Sequence, residues 1–359
     1  MIQAAARRKP CLSRLDAGER AFAYAKACGI IGKSFVGKRI SALRKLNTLT
    51  EFDRLVFPEE QRELPGPELL ADLERRLLRR TVRHIIAVLD SYLYPPELLV
   101  RQLRSCEYAD LKACLRHISA GKPAPSLCGI GRFGTVRFEA YPDLAAMLAG
   151  TEFESLLAEE DKTAVKANRF DNDSTDFYLT SLEAKLDLRY YTLLVRSLRR
   201  LSSQDRFFAE QILAEEISLR NCIWALRLRG YFNKAPDETE QFLMDLTMKV
   251  SLAAEARQML DFPLDIRSAW KGWRWEGFLN PETPGEIWEA NPRYFQNAAS
   301  RYIYRQSLRS FRRMPSAVSS VFCYIKLKQF EEDLLTSTAE GLGLGMTGNE
   351  VLNLIEVPA

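Results

Sequence analysis

Histidine is almost missing from this sequence: His84 and His117 are the only two in 359 residues. That leaves little material for imidazole acid–base chemistry or a histidine-rich metal site. Seven cysteines are scattered at Cys11, Cys28, Cys106, Cys114, Cys128, Cys222 and Cys323, with no CxxC spacing among them. An odd, dispersed set reads as reduced, mostly buried thiols of a cytoplasmic protein, not as a disulfide framework. Cys114 and His117 stand three apart and could share a helix face, but two ligands do not make a zinc site. No apolar run approaches the ~18–20 residues that cross a bilayer. The opening stretch MIQAAARRKPCLSRLD is basic with no apolar segment behind it, so neither a secretory signal nor a membrane-integral protein is expected. An excess of one charge is lacking too. The 51 Lys+Arg against 47 Asp+Glu leave +4, too mild for the concentrated positive face that nucleic acid usually needs.

What is abundant is leucine: 50 residues, against 13 Val and 16 Ile, a ratio that favours helix over strand. With 47% hydrophobic and 27% charged residues the chain is globular, and its length suits two or three domains. Periodicity agrees. Within Pro67–Tyr92, Leu69, Leu70, Leu73, Leu77, Leu78, Val82, Ile85, Ile86 and Leu89 recur at steps of three and four, with arginines largely opposite. Ser181–Leu201 and Gln204–Arg229 repeat the pattern, and Gly230 is the expected stop of the second. Pro58–Pro67, Tyr94–Pro96, Gly121–Pro125, Asn233–Pro236 and Asn280–Gly285 read as joints, and Asp171–Asp176 as a polar turn that caps the next helix. No set of alternating strands competes. The predicted class is all-α.

The helical blocks also resemble one another. Glu107-x-x-Asp110-Leu111-x-x-x-x-Arg116 aligns with Ser218-x-x-Asn221-Cys222-x-x-x-x-Arg227, and more weakly with Glu331 through Gly341. The copies lie 111 and 113 residues apart, about a third of the chain each, which argues for three similar helical domains at 1–125, 126–235 and 236–359. Gly129-Ile-Gly131-Arg-Phe-Gly134 fits the dinucleotide fingerprint, but that motif works between a strand and a helix, and here a proline-rich loop precedes it. It reads as a glycine-rich connector.

These residues carry a likeness to a known family. Phe22-Ala-Tyr24-Ala25, Glu107-x-x-Asp110-Leu111-Lys112, Leu182-Glu183-x-x-Leu186-Asp187-x-x-Tyr190-Tyr191, Glu216-Ile217-x-x-x-Asn221-Cys222-Ile223-x-x-Leu226-Arg227 and the closing Glu331–Gly341 helix occur in order over the whole chain. The set resembles the C subunit of the prokaryotic V/A-type rotary ATPases, the counterpart of the d subunit of the eukaryotic V-ATPase. It departs from the family pattern in having Glu107, Asp110, Ser218 and Leu334 where Asp, Asn, Asp and Asn are usual.

The resemblance implies a three-domain helical funnel with pseudo-threefold symmetry. It implies a non-catalytic socket, without cofactor or small-molecule substrate, peripheral on the cytoplasmic face. Its partners would be the D and F subunits of the central shaft and the proteolipid ring of the membrane rotor, with ATP turnover linked to proton or sodium transport. The alternative is a basic all-helical nucleic-acid-binding or scaffold protein. Candidate polar residues, for partner contacts or links between helices, are Glu107, Asp110, Arg116, Asp187, Tyr191, Glu216, Asn221, Arg227 and Glu331. Trp270, Trp273 and Trp275, three indoles in six residues, read either as core of the last third or as an interface anchor. Arginines at 79–80, 199–200 and 309–313 recur once per third, as solvated faces or as partners for acidic groups.

Overall fold

A computed structural model describes residues 17–37, 39–154 and 172–355, with the backbone alone for 172–178. Cys11, the basic opening stretch and Asp171 lie outside the described residues. The chain is all-α. Its helices are α1 (Ala17–Ile31), α2 (Ile40–Leu43), α3 (Leu49–Val56), α4 (Gly66–Leu89), α5 (Glu97–Leu103), α6 (Ser105–Ser119) and α7 (Leu144–Leu148). They continue with α8 (Asn172–Leu198), α9 (Ser203–Phe232), α10 (Pro236–Glu240), α11 (Ala254–Met259), α12 (Pro292–Arg313), α13 (Val318–Gly343) and α14 (Gly348–Leu354). No named strand occurs among the described residues.

Side-chain chemistry sets the helix ends. Ser202 opens α9 by accepting the Asp205 amide at 3.2 Å, and Asn291 opens α12 by accepting those of Arg293 and Tyr294 at 2.9 and 3.1 Å. Thr347 and Glu350 form a capping box on α14. Gly230, the expected stop of α9, stays helical. The helix runs on to Phe232 and closes at Asn233, which takes the left-handed φ of +49°. Asn172–Asp176, expected in a turn, are instead the start of α8.

The core is organised around α13. Every residue from Val318 to Lys328 is buried, as befits a helix that is apolar nearly all round. It runs antiparallel to α4: Tyr324 Oη donates to the His84 carbonyl at 3.0 Å, the Arg80 guanidinium lies 3.9 Å from Glu331, and Gly343 packs beside Leu70. Also against α13 pack α1, α3, α5, α9, α12 and α14. The largest apolar cluster extends from Ala23 through α4–α9 to Leu327. A second joins the later part of α9 to α11, the tryptophans and the start of α12. A third holds α2, α3, the first half of α4, the end of α13 and α14. The apolar contacts therefore run across the thirds of the sequence as well as within them.

Candidate interaction site

Four buried polar side chains on three helices do the same job. On α6, the Glu107 carboxylate accepts the amides of Thr135 and Val136, the latter at 2.7 Å, and the Asp110 carboxylate accepts the Cys128 amide at 3.0 Å. On α9, Asn221 donates to the carbonyls of Met244 and Leu252, both at 3.1 Å, and accepts the Met244 amide at 2.8 Å. On α13, Glu331 accepts the Phe35 amide at 2.8 Å. In each case a buried group satisfies the backbone of an irregular segment that no helix could satisfy. Leu334 stands where the repeat pattern would put an amide, and Glu331, three residues earlier, holds the loop instead.

Electrostatics fit these roles. Burial pushes the Asp110 carboxyl up to about 6, against the pull of the Cys128 amide. Burial also raises Glu331, but Lys328, the Phe35 amide and Arg80 outweigh it and hold the carboxyl below its ordinary value. Asp110 and Glu107 hold the two ends of the Gly129–Gly134 segment, at Cys128 and at Thr135–Val136. Gly129 and Gly131 take φ of +66° and +56°, so its glycines serve turn geometry and no strand precedes them.

The other predicted polar residues link helices. Arg116 grips Glu183 with two bonds of 2.6 and 2.8 Å, and Lys112 meets Asp187 at 2.6 Å, tying α6 to α8. Tyr191 donates to Glu216 at 2.9 Å, and Lys326 lies 2.6 Å from the same carboxylate, joining α8, α9 and α13. Arg227 donates to Gln296 on α12. Trp270, Trp273 and Trp275 are buried in the second apolar cluster. Trp270 stacks edge-on against Trp273 at 5.3 Å and donates to the Pro263 carbonyl at 2.9 Å, while Trp273 donates to that of Glu255 at 3.2 Å. The interface alternative for the indoles is thereby set aside, because the surrounding turns already cover them.

Sequence reasoning missed the middle of α13. Lys326, Lys328, Glu332 and Asp333 lie around the helix junctions, and lysines within so apolar a helix were the available signal. Asp333 is open to solvent, yet burial pushes its carboxyl up to about 6 while Arg220 pulls the other way. Glu332 is pushed up to about 8 by burial and by Asp333 beside it. Arg220 of α9, itself exposed, stands 5.4 Å over the Tyr191 ring in the same region.

Among the described residues no three His, Cys, Asp or Glu side chains gather as metal ligands, and no helix is long and apolar enough to cross a membrane. His117 meets the Pro123 carbonyl at 2.7 Å while Cys114 is buried in the core. The site residues named above go chiefly into holding loops and joining helices within an all-α chain. The family model for the ATP synthase (C/AC39) subunit matches residues 58–354, and the chain belongs to that family, in keeping with its resemblance to the V/A-type ATPases. It is also similar to an uncharacterized protein of Treponema pallidum (strain Nichols), with 27% identity over 329 residues covering 90% of this chain and 92% of the relative.

Proposed function

We propose that the chain is the non-catalytic socket of a V/A-type rotary ATPase, seating the central shaft on the membrane rotor ring. In this reading it sits peripherally on the cytoplasmic face, with the D and F shaft proteins seated in a helical funnel and the proteolipid ring beneath. It transmits torque between ATP turnover and proton or sodium movement, and needs no cofactor. The thirds 1–125, 126–235 and 236–359 are helical repeats about a pseudo-threefold axis, forming a funnel.

The observation that carries the proposal is the recurrence of one device at positions a third of the chain apart. Asp110, Asn221 and Glu331 each hold a loop backbone from inside a helix. A torque coupler must be stiff, and satisfied buried polar anchors in a close-packed core supply stiffness. Arg220 and Asp333, both exposed and close enough for Arg220 to pull the Asp333 carboxyl down, suit a charged surface that grips a shaft tip. The test is affinity purification of the chain from solubilised membranes together with its deletion. Co-purification of shaft and ring proteins, and loss of ATP-driven ion pumping on deletion, are expected. Undiminished pumping without the chain overturns the reading.

A further inference from the structure

Two of the three arginine clusters converge on one end of the molecule, and the third does not. Arg80 is turned inward over the rings of Phe35 and Phe57, toward Glu331. The other two clusters meet where α4 and α8 end, α9 starts, and α12 passes into α13. Arg200 pairs with Glu97 after the α4–α5 joint, the Ser319 amide donates to Asp205 at 3.0 Å, and Arg313 lies 5.8 Å over the Phe208 ring. The Leu93 amide donates to Glu19 of α1 at 3.2 Å, which brings the start of α1 to the same end.

This end is both basic and apolar. Arg199, Arg309, Arg312 and Arg313 are exposed and make no ion pair among the described residues. Interleaved with them, Leu93 is 73% exposed, Tyr94 66%, Phe22 61% and Phe207 47%. Leu93 and Tyr94 form the tip of the α4–α5 joint, and Lys249 lies 5.6 Å over the Phe207 ring. Exposed apolar side chains set among arginines that make no ion pair are suited to an outside surface.

We infer that this end is a contact surface for anionic phospholipid headgroups. Arginines answer the phosphates, while the aromatic and leucine side chains enter the headgroup layer, the division of labour at membrane interfaces. A lipid surface is favoured over an acidic protein because the basic and apolar groups are spread over five chain segments, and a fluid surface needs no fixed register among them. The inference deepens the peripheral location proposed above by naming the face and its ligand. It stands or falls separately, since lipid binding is read on the isolated chain and coupling is read on the assembled complex.

The test is co-sedimentation of the full chain with vesicles of phosphatidylcholine containing a quarter phosphatidylglycerol, and with phosphatidylcholine alone, at low and high salt. Expected is binding about tenfold stronger to the anionic vesicles and weakened by salt. The triple variant Arg309→Glu, Arg312→Glu, Arg313→Glu and, independently, the loop-tip variant Leu93→Ser, Tyr94→Ser should each lose binding about tenfold or more. Both alter exposed side chains, and unchanged urea midpoints will show that they fold. No sedimentation, or equal binding to neutral vesicles, overturns the inference. So does retention of purified ring or shaft protein that is lost in the arginine variant while vesicles are ignored.

Discussion

Asn221 makes three hydrogen bonds with one amide, to Met244 twice and to Leu252, and none of the three backbone groups has a helical partner to fall back on. Replacing it by Leu leaves the Met244 amide and the Leu252 carbonyl buried and unmet, while the Met244 carbonyl keeps the Leu246 amide, at a cost of about 3 kcal/mol in urea unfolding. Asn221→Asp keeps the bond from the Met244 amide but turns a carboxylate on two carbonyls, and should be at least as damaging. Glu332 gives a pH-dependent prediction. Its folded pKa of about 8 lies above the ordinary 4.5, so the unfolded chain ionises first and stability drains away as pH climbs from about 4.5 to 8. Glu332→Gln should therefore match the parent near pH 4.5 and exceed it above pH 8, with urea midpoints at the two extremes as the measurement. The polar anchors were legible because an acid or amide recurring in otherwise apolar helices has few roles besides holding something. What each one holds was not, since the loops around 128–136 and 244–252 carry no periodic pattern.

At the scale of elements, α14 docks through glycine. A Cβ on Gly348 would stand 2.0 Å from the Leu43 carbonyl oxygen, and one on Gly341 2.2 Å from a Val351 methyl. Gly348→Ala must push backbone apart, so a loss of about 1–3 kcal/mol is expected in thermal or urea unfolding. Gly341→Ala meets a side chain that can rotate and should cost less. The long helices were readable from leucine spacing and their ends largely from proline. The stretch from Gln241 to Asn291 was not, because its tryptophans pack from short turns such as Arg267–Trp270, where hydrophobic period has no meaning. Nor was the centrality of α13. A helix apolar on every side has little amphipathic signature to announce which neighbours it will take.

At the scale of the molecule, the sequence showed a helical class, but not that one helix would serve nearly all the others. Contacts between distant segments depend on which faces meet, and a single sequence does not state that. A chain ending at residue 317 lacks α13 and with it the partner of α1, α3, α4, α5, α9 and α12. It should lose cooperative unfolding altogether, which circular dichroism against urea would read as a broad, sloping transition.

The bond from the Phe35 amide to Glu331 spans 296 positions, and the helix that provides it emerges from the ribosome after nearly everything it supports. Nascent helices must wait, half-clothed, for their spine to arrive. Folding of this protein is thus bound to the late synthesis of that helix, and the interval before it emerges is when a chaperone's protection matters most.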